Sequence, residues 1–335
     1  MSGVHILAIE SSCDETSAAV ISNGRILSNV IYTQKIHEQY GGVVPEHASR
    51  LHIRHILPVV QEAMSQSGIA LEELNAIAYT QAPGLIGALI VGSTFAKGLA
   101  WSLNIPTLAI HHMKAHVLAN LIEKPDIPFP FLCLTVSGGH TQIVQVDSPY
   151  ELKVIGETID DAAGEAFDKS AKMLGLPYPG GPLIDHHASN GNPKRFVFAK
   201  PQIEGLNFSF SGVKTSILYF LQAELKKDDQ FITNNLNDLC ASIQYTIVQI
   251  LITKLKRAVK ETGIQTIALA GGVSANKGLR SSLTQEAQKQ HWQLHIPSFE
   301  YCTDNAAMIA MAAHYAYLNE EFAGDEQSAN ARGSF

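Results

Sequence analysis

Hydrophobic and polar positions divide the chain into two stretches that follow the same order of predicted elements. In the first stretch, the apolar run His5–Glu10 leads through a polar turn to a second apolar run at 18–21, and the pair Asn23-Gly24 is typical of a tight hairpin. In the second stretch, the apolar runs Phe131–Val136 and 143–146 flank another short polar turn. Each stretch therefore predicts a strand, a returning strand and, after a further turn, a third strand.

The similarity between the two stretches continues downstream. An apolar run at 76–80 leads through a Pro-Gly turn into a helix, and a run at 266–270 leads through Gly271-Gly272 into another helix. Each stretch then closes with a short apolar strand, at 107–110 and at 293–296. This repetition predicts an internal duplication, and hence an α/β protein built from two similar halves that face each other across a cleft.

Long helices and irregular segments lie between the repeated elements. Apolar residues recur at helical spacing through 52–67 and 236–262, and each of these segments is followed by a glycine. The segment at about 180–215 is rich in Gly, Pro, Asn and Phe, which is typical of an insertion. We expect an N-terminal lobe, a C-terminal lobe that carries the insertion, and a flexible tail, at 1–115, 116–323 and 324–335, respectively.

The composition is that of a globular protein from a reducing compartment. The 335 residues are 46% hydrophobic and 16% charged, which is enough for sizeable cores and excludes a disordered tail. The four cysteines form no CxxC pair, which argues against zinc ribbons and disulfide frameworks and predicts a cytoplasmic protein. The apolar stretch 82–101 contains Lys97 and several glycines, so a packed helix is favoured over a membrane span and no membrane partner is expected.

The charge balance restricts any nucleic-acid partner. The formal net charge is −7 with neutral histidine, so the chain has no global positive field that would capture RNA, and a local patch or a helper protein is needed. The insertion mixes basic and aromatic side chains that could clamp RNA, or whose rings could instead pack into a local core. These residues are Lys194, Arg195, Lys200 and Lys214 with Phe196, Phe198, Phe208 and Phe210.

Two glycine-rich turns follow predicted strands of the second stretch. Ser137-Gly138-Gly139 and Gly271-Gly272 allow backbone N–H groups to approach an anion closely. Plain turns between a strand and a helix are the alternative for each pair alone. Because the pairs recur in a duplicated pattern, phosphate or nucleotide binding is as well supported as a plain turn.

His112 and His116 have the HxxxH spacing that places two imidazoles on one face of a helix. Asp304, at the matched helix start of the other half, is expected on the opposite wall of the same cleft. Two histidines and one carboxylate suit iron or zinc. Buried core or capping residues are the alternative. A zinc protease is excluded because its general base would stand at position 113, which is methionine.

Asp161, Glu165 and Asp168 recur on one side of a predicted helix that begins near Asp160. Such a run is typical of a solvated helix face. A carboxylate beside a glycine-rich turn can instead accept a hydrogen bond from a ribose hydroxyl, and Asp168 is the candidate.

An ordered series of motifs from about residue 6 to residue 315 closely resembles the bacterial TsaD family of tRNA threonylcarbamoyladenosine synthases, once described as O-sialoglycoprotein endopeptidases. The motifs are ESSCDET at 10–16, GGVVPEHASR at 41–50, HHMKAH at 111–116, VSGGHT at 136–141, GEAFDK at 164–169, YPGGP at 178–182, FSFSGVKT at 208–215, AGGVSAN at 270–276 and CTDNAAMIA at 302–310.

The resemblance implies the duplicated actin-like ATPase fold, of the ribonuclease H-like ASKHA class. It also implies transfer of a threonylcarbamoyl group from threonylcarbamoyl-AMP to N6 of the adenosine 3′ of the anticodon, in tRNAs that read codons beginning with A. His112, His116 and Asp304 match the family's metal ligands, usually for iron. The positions that match its adenylate site are Thr135, Val136, Ser137, Gly138, Gly139, Asp168, Gly181, Asp185 and Asn276.

The resemblance also implies partners: tRNA, a TsaB-like paralogue and a TsaE-like ATPase. No residue stands out as a general base, and Glu10 and His140 are no more than candidates. Lys114-Ala115 replaces the commoner Glu-Gly between the histidines, and the tail offers only Arg332 where many relatives end more basic. An ATP-dependent small-molecule kinase of the same fold and a non-catalytic nucleotide-binding scaffold are the alternative functions.

Overall fold

The computed structural model describes residues 3–324 and 326–333. Its strands match the predicted ones closely, including the hairpin at Asn23-Gly24, where both residues have positive φ. The strands are β1 (His5–Glu10), β2 (Glu15–Ser22), β3 (Arg25–Thr33), β4 (Ala76–Ala82), β5 (Thr107–His111), β6 (Phe131–Val136), β7 (Thr141–Val146), β8 (Leu152–Glu157), β9 (Thr266–Ala270) and β10 (Gln293–His295).

The helices extend further than their hydrophobic periodicity alone indicates. The predicted helix at 52–67 begins at Pro45, because a proline is well tolerated in the first helical turn, and Pro58 lies inside it. The helices are α1 (Pro45–Ser67), α2 (Ile86–Leu103), α3 (His112–Leu118), α4 (Asn120–Glu123), α5 (Ala163–Met173), α6 (Gly180–Ala188), α7 (Ser211–Leu225), α8 (Phe231–Thr262), α9 (Lys277–Gln290) and α10 (Ala306–Leu318).

Two five-stranded sheets have the same strand order, which confirms the predicted duplication. The first sheet runs β3-β2-β1-β4-β5, and the second, taken from its other edge, runs β8-β7-β6-β9-β10. In each sheet the first hairpin is antiparallel, and the later strands add in parallel to its inner strand. Parallel strands end at the same edge of a sheet, so the segments that follow β1, β4 and β5 are brought together.

The chain divides into two compact units whose boundaries differ from the predicted lobes. Unit 1 contains residues 1–127, 147–152 and 297–335, and unit 2 contains residues 128–146 and 153–296. The described residues 297–324 and 326–333 therefore pack with the first unit, although the sequence predicts most of this segment in the second lobe. Asp304 consequently belongs to the same unit as His112 and His116.

The core of unit 1 lies between the first sheet and its helices. Leu7 and Ile9 on β1 pack with apolar residues of α1 and α2. The predicted burial of the apolar stretch at α2 is only partly correct: one face of this helix is buried, while Ile86, Ile90 and Trp101 are exposed. By length and composition alone α2 is long and apolar enough to cross a membrane.

The aromatic residues of the insertion pack into the core of unit 2. Phe198, Phe208 and Phe210 are buried in one cluster with β6 and α8, and Phe196 packs against it. Of the two interpretations of this segment, local core packing is the one that the structure supports. Lys254 on α8 fixes the irregular chain by donating to the carbonyl oxygens of Ile203 and Gly205.

The described part of the tail is hydrogen-bonded along unit 1. The Asn330 N–H donates to the Gln81 carbonyl oxygen at 3.0 Å, and the Lys97 ammonium group donates to the Gln327 carbonyl oxygen at 2.6 Å. Gly333 places its carbonyl oxygen 3.2 Å from Nε2 of His111. Residues 326–333 are thus attached to the ends of β4 and β5, where the sequence predicts a flexible segment.

Candidate metal centre and nucleotide cavity

The two histidines of the candidate metal centre lie at the start of α3, which follows β5 without a loop. His112 and His116 are separated by one helical turn, so both side chains project from the same face. Their ring centroids are 4.7 Å apart, with the ring planes nearly perpendicular. Both side chains are buried, which makes them poor candidates for solvated surface residues.

Asp304 is placed by the start of α10, which docks onto the first sheet. Asn305 is the N-cap of this helix and accepts a hydrogen bond from the Met308 N–H at 3.1 Å. The next backbone N–H, of Ala306, donates to Oγ of Ser17 on β2 at 2.9 Å. These contacts hold the helix start, and with it the carboxylate of Asp304, against unit 1.

The three side chains form one compact ligand set. Oδ1 of Asp304 lies 3.1 Å from Nε2 of His116 and 3.5 Å from Nε2 of His112. One ligand atom from each residue lies within 4.8 Å of the others. Two imidazole nitrogens and a carboxylate oxygen at this spacing fit a divalent transition metal with open coordination positions. The expected ligand set is therefore assembled, but within unit 1 alone.

Glu10, at the end of β1, contacts the ring nitrogen of His112 that does not face Asp304. Its fully buried carboxylate accepts hydrogen bonds from the Ser12 N–H and the Thr80 hydroxyl, and its Oε2 lies 3.2 Å from Nδ1 of His112. A proton on Nδ1 that faces this carboxylate leaves Nε2 as the lone-pair donor toward Asp304 and a metal. This arrangement supports a positioning role for Glu10 in place of a general base. This role was not predicted from the sequence.

Electrostatics tie these charged groups together. Burial opposes charge on the His112 ring, but the carboxylates of Asp304 and Glu10 outweigh it and raise the pKa of His112 well above its ordinary value. For Asp304, burial acts against the anion, yet His112 and His116 lower its pKa. Burial raises the pKa of Glu15, and the nearby carboxylate of Asp304 raises it further. The site therefore favours a positive charge, which a bound metal cation would supply.

Unit 2 contains a cavity of about 410 Å³ at the position of the predicted adenylate site. Of the predicted residues, Gly138, Asp168, Gly181, Asp185 and Asn276 line it. Thr135 and Val136 are buried within β6, and Ser137 and Gly139 lie in the turn that follows. Gly272, of the predicted anion-binding turn, also lines the cavity, together with residues that were not predicted, namely Gly164, Phe167, Pro179, Pro182, His186, Val273, Ala275 and Lys277.

Asp168, the predicted ribose-binding carboxylate, and Asp185 of the predicted adenylate site also hold helix starts. Oδ1 of Asp168 accepts hydrogen bonds from the N–H groups of Gly180 and Gly181 at 2.9 and 3.0 Å. Asp185 accepts from the N–H groups of Lys277 and Gly278 at 3.1 and 3.3 Å. Burial raises the pKa of Asp168, and these N–H groups counteract the effect. Oδ2 of Asp168 has no described hydrogen bond and can accept one from a ligand.

The neighbouring acids, Asp161 just before α5 and Glu165 on it, have a different role. Asp161 forms ion pairs with Lys169 and Lys214 at 3.1 and 3.2 Å, and Glu165 pairs with Lys169 at 2.6 Å. Asp161 and Glu165 are thus neutralised by local lysines. Of the three acids that the sequence predicts on one helix side, Asp168 lines the cavity, and the helix begins at Ala163, after Asp161.

In the turn after β6, no contact within the protein explains why the two residues are glycine. A Cβ added at Gly138 or Gly139 would meet no atom within 4 Å. Neither residue has a positive φ. The open space at this turn is what close approach of a phosphate to backbone N–H groups needs.

Gly164, in contrast, is required by packing against this turn. A Cβ at Gly164 would lie 2.5 Å from the Ser137 carbonyl oxygen. We expect Gly164→Ala to displace the turn and to lower the free energy of unfolding by about 1–3 kcal/mol, measured by urea denaturation. Gly98→Ala is the control, because position 98 lies in a helix and has free space, so alanine should stabilise the protein there. A fully stable Gly164→Ala protein would contradict this view of the turn.

Comparison with known sequences identifies close relatives along the whole chain. Residues 25–311 match the family model described as "TsaD: tRNA N6-adenosine threonylcarbamoyltransferase". A protein of that name from Christiangramia forsetii is 59% identical, covering 99% of this chain and 98% of the relative. One from Cytophaga hutchinsonii is 54% identical, covering 98% of this chain and 96% of the relative.

Comparison with solved structures shows the fold. Full-length HypF, in a phosphate- and nucleotide-bound form, is similar with a TM-score of 0.64 at 13% identity, covering 98% of this chain and 47% of HypF. Component A of (R)-2-hydroxyglutaryl-CoA dehydratase from Acidaminococcus fermentans has a TM-score of 0.55 at 14% identity, covering 95% of this chain and 99% of that protein. These similarities confirm the predicted fold class, the duplicated actin-like ATPase fold.

Proposed function

Because the chain belongs to the TsaD family of tRNA N6-adenosine threonylcarbamoyltransferases, we propose that it transfers a threonylcarbamoyl group from threonylcarbamoyl-AMP to N6 of an adenosine in tRNA. The acceptor is the adenosine 3′ of the anticodon in tRNAs that read codons beginning with A, and AMP is released. The observation that carries the proposal is the family match over residues 25–311. The ligand set of unit 1 and the cavity of unit 2 support it.

The reaction joins a poor nucleophile to an activated acyl group. The exocyclic amine of adenosine has a delocalised lone pair, so most of the activation comes from the mixed carbamoyl-phosphate anhydride. The amine forms a C–N bond to the carbamoyl carbon, the bond from that carbon to the phosphate oxygen breaks, and the amine loses one proton. The protein therefore mainly has to bind, align and stabilise charge.

The residues of unit 2 are assigned to the adenylate. The N–H groups of Gly138 and Gly139 stabilise the phosphate as AMP departs. Asp168 and Asp185 accept hydrogen bonds from the ribose hydroxyls, and Asn276 contacts the nucleotide. His140, in the turn after β6, is kept as a candidate general base.

His112, His116 and Asp304 are assigned to one divalent ion, iron or zinc. When bound, such an ion supplies Lewis-acid polarisation of oxygen atoms and so favours cleavage of the anhydride. Glu10 holds the His112 ring in the tautomer that leaves Nε2 available.

A TsaB-like paralogue and a TsaE-like ATPase are proposed as partners, in the cytoplasm. The net charge of −7 supports a need for partners in tRNA binding. For the isolated chain, we expect weak tRNA binding that falls steeply as salt rises from about 50 to 200 mM. Fluorescence anisotropy with a labelled tRNA transcript measures this. Tight binding by the isolated chain at the higher salt would contradict the expectation.

The proposed function is tested by mass spectrometry of tRNA nucleosides. The purified chain, loaded with iron, is incubated with threonylcarbamoyl-AMP and an unmodified transcript, with and without the two partners. We expect threonylcarbamoyladenosine next to the anticodon and an equal amount of AMP. Consumption of ATP driven by a sugar or an acid, without tRNA modification, would favour the kinase alternative. Binding of the adenylate without any transfer would favour the scaffold alternative.

A further inference from the structure

The amide of Asn276 is held from two sides at the rim of the unit 2 cavity. Its Oδ1 accepts a hydrogen bond from the Leu279 N–H at 2.8 Å, as the N-cap of α9. Its Nδ2 donates to Oε1 of Gln244 on α8 at 2.7 Å. An asparagine amide offers two N–H donors, so these bonds fix the orientation of the amide and leave one N–H for a ligand.

Gln244 lies outside the nucleotide cavity that Asn276 lines. It lines a neighbouring cavity of about 410 Å³ that shares Asp185 and Lys277 with the first one. The Gln244 side chain is almost fully buried, at 9% exposure, in a helix whose neighbouring positions Ile243 and Ile247 are apolar. A polar side chain at such a site is costly unless it is hydrogen-bonded, and its described partner is Asn276.

The packing around Gln244 also requires a particular residue on the next helix. A Cβ added at Gly278 would lie 2.2 Å from Nε2 of Gln244. The glycine therefore makes room for the Gln244 amide in the first turn of α9. Replacing Gly278 with alanine would therefore push the Gln244 amide aside while leaving the Gln244 side chain in the protein. The backbone should tolerate this change, because alanine has a higher helix propensity than glycine.

We propose that Gln244 is a positioning residue for adenylate binding. By accepting a hydrogen bond from Asn276, it holds that amide in the orientation that offers its remaining N–H to the nucleotide. The inference rests on the proposed function, because the adenylate is the ligand assigned to this cavity. Without the Gln244 acceptor the Asn276 amide keeps its N-cap bond to Leu279, but its NH₂ side is no longer held, so nucleotide binding weakens while the chemical step is unchanged.

The test uses full-length variants and two readouts. Gln244→Met keeps the length of the side chain and removes its hydrogen-bonding groups. We expect KM for threonylcarbamoyl-AMP to rise about tenfold with kcat within about twofold of wild type. Calorimetry with AMP alone should show about the same loss of affinity. Gln244→Glu, which keeps an acceptor oxygen for Asn276, should restore most of the affinity.

Gln249→Met makes the same chemical change elsewhere on α8 and serves as the control. Gly278→Ala displaces the Gln244 amide and should raise KM in the same direction, even if Gln244→Met fails to fold. Unchanged AMP affinity in both Gln244→Met and Gly278→Ala would overturn the inference, as would an equal loss in Gln249→Met. The AMP measurement requires no tRNA, so its result is distinct from a failure of wild-type protein to modify tRNA, which would refute the proposed function.

Discussion

Replacement of Asp304 with alanine is expected to reduce tRNA modification more than a hundredfold while the protein stays folded. The carboxylate lies within hydrogen-bonding distance of Nε2 of His116 and near Nε2 of His112, so its loss removes one of three ligands. Removal of a residue that merely hydrogen-bonds to a metal ligand already lowers metal affinity or activity about 10- to 100-fold. Removal of the ligand itself should lower them further.

The fold should tolerate this change because other residues hold the start of α10. Asn305 caps the helix, and Ser17 and Asn29 accept hydrogen bonds from its first N–H groups. We therefore expect a melting temperature within about 5 °C of wild type. Mass spectrometry of tRNA and a thermal melt are carried out on the same preparation. Asp126→Ala, at an exposed position of unit 1, is the control. Wild-type activity in the Asp304→Ala protein would rule out the assigned ligand set.

Glu10→Gln is expected to have the second largest effect. The carboxylate of Glu10 accepts hydrogen bonds from Ser12 and Thr80 and faces Nδ1 of His112. A glutamine has one acceptor oxygen and one donor nitrogen, so it cannot accept from all of these donors. If the amide nitrogen faces His112, the histidine must accept at Nδ1 and carry its proton on Nε2, which then cannot bind a metal.

We expect the Glu10→Gln protein to bind a divalent ion about 10- to 100-fold more weakly, measured by competition with a chromophoric chelator. Its transfer activity should recover at high metal concentration, because the three ligands remain. Glu46→Gln makes the same change on the surface of α1 and should behave as wild type. If excess metal does not restore activity to Glu10→Gln, a direct role of Glu10 in proton transfer would be the better explanation.

Local patterns in the sequence were sufficient to predict the strands and their duplication. The Asn23-Gly24 turn and the alternation of apolar runs with short polar turns report on neighbouring residues only, and both sheets follow them. The spacing of His112 and His116 likewise predicts a shared helix face, which the structure contains.

The errors concern contacts between residues far apart in the chain. Asp304 was expected to belong to the second lobe, whereas hydrogen bonds from α10 to Ser17 and Asn29 attach it to the first unit. Such long-range hydrogen bonds cannot be inferred from the residues next to Asp304 in the sequence. Gln244 was missed for the same reason, although a single glutamine in an otherwise apolar row of a helix is a signal that a buried partner exists.

Metal content and tRNA modification, determined together on the wild-type protein, test the central claim most directly. The protein is stripped with a chelator and titrated with Fe²⁺ in the absence of oxygen, with partners and threonylcarbamoyl-AMP present. We expect activity to be lost on stripping and to return in proportion to bound iron, up to one ion per chain. Full activity in the stripped protein, with no detectable metal, would contradict it.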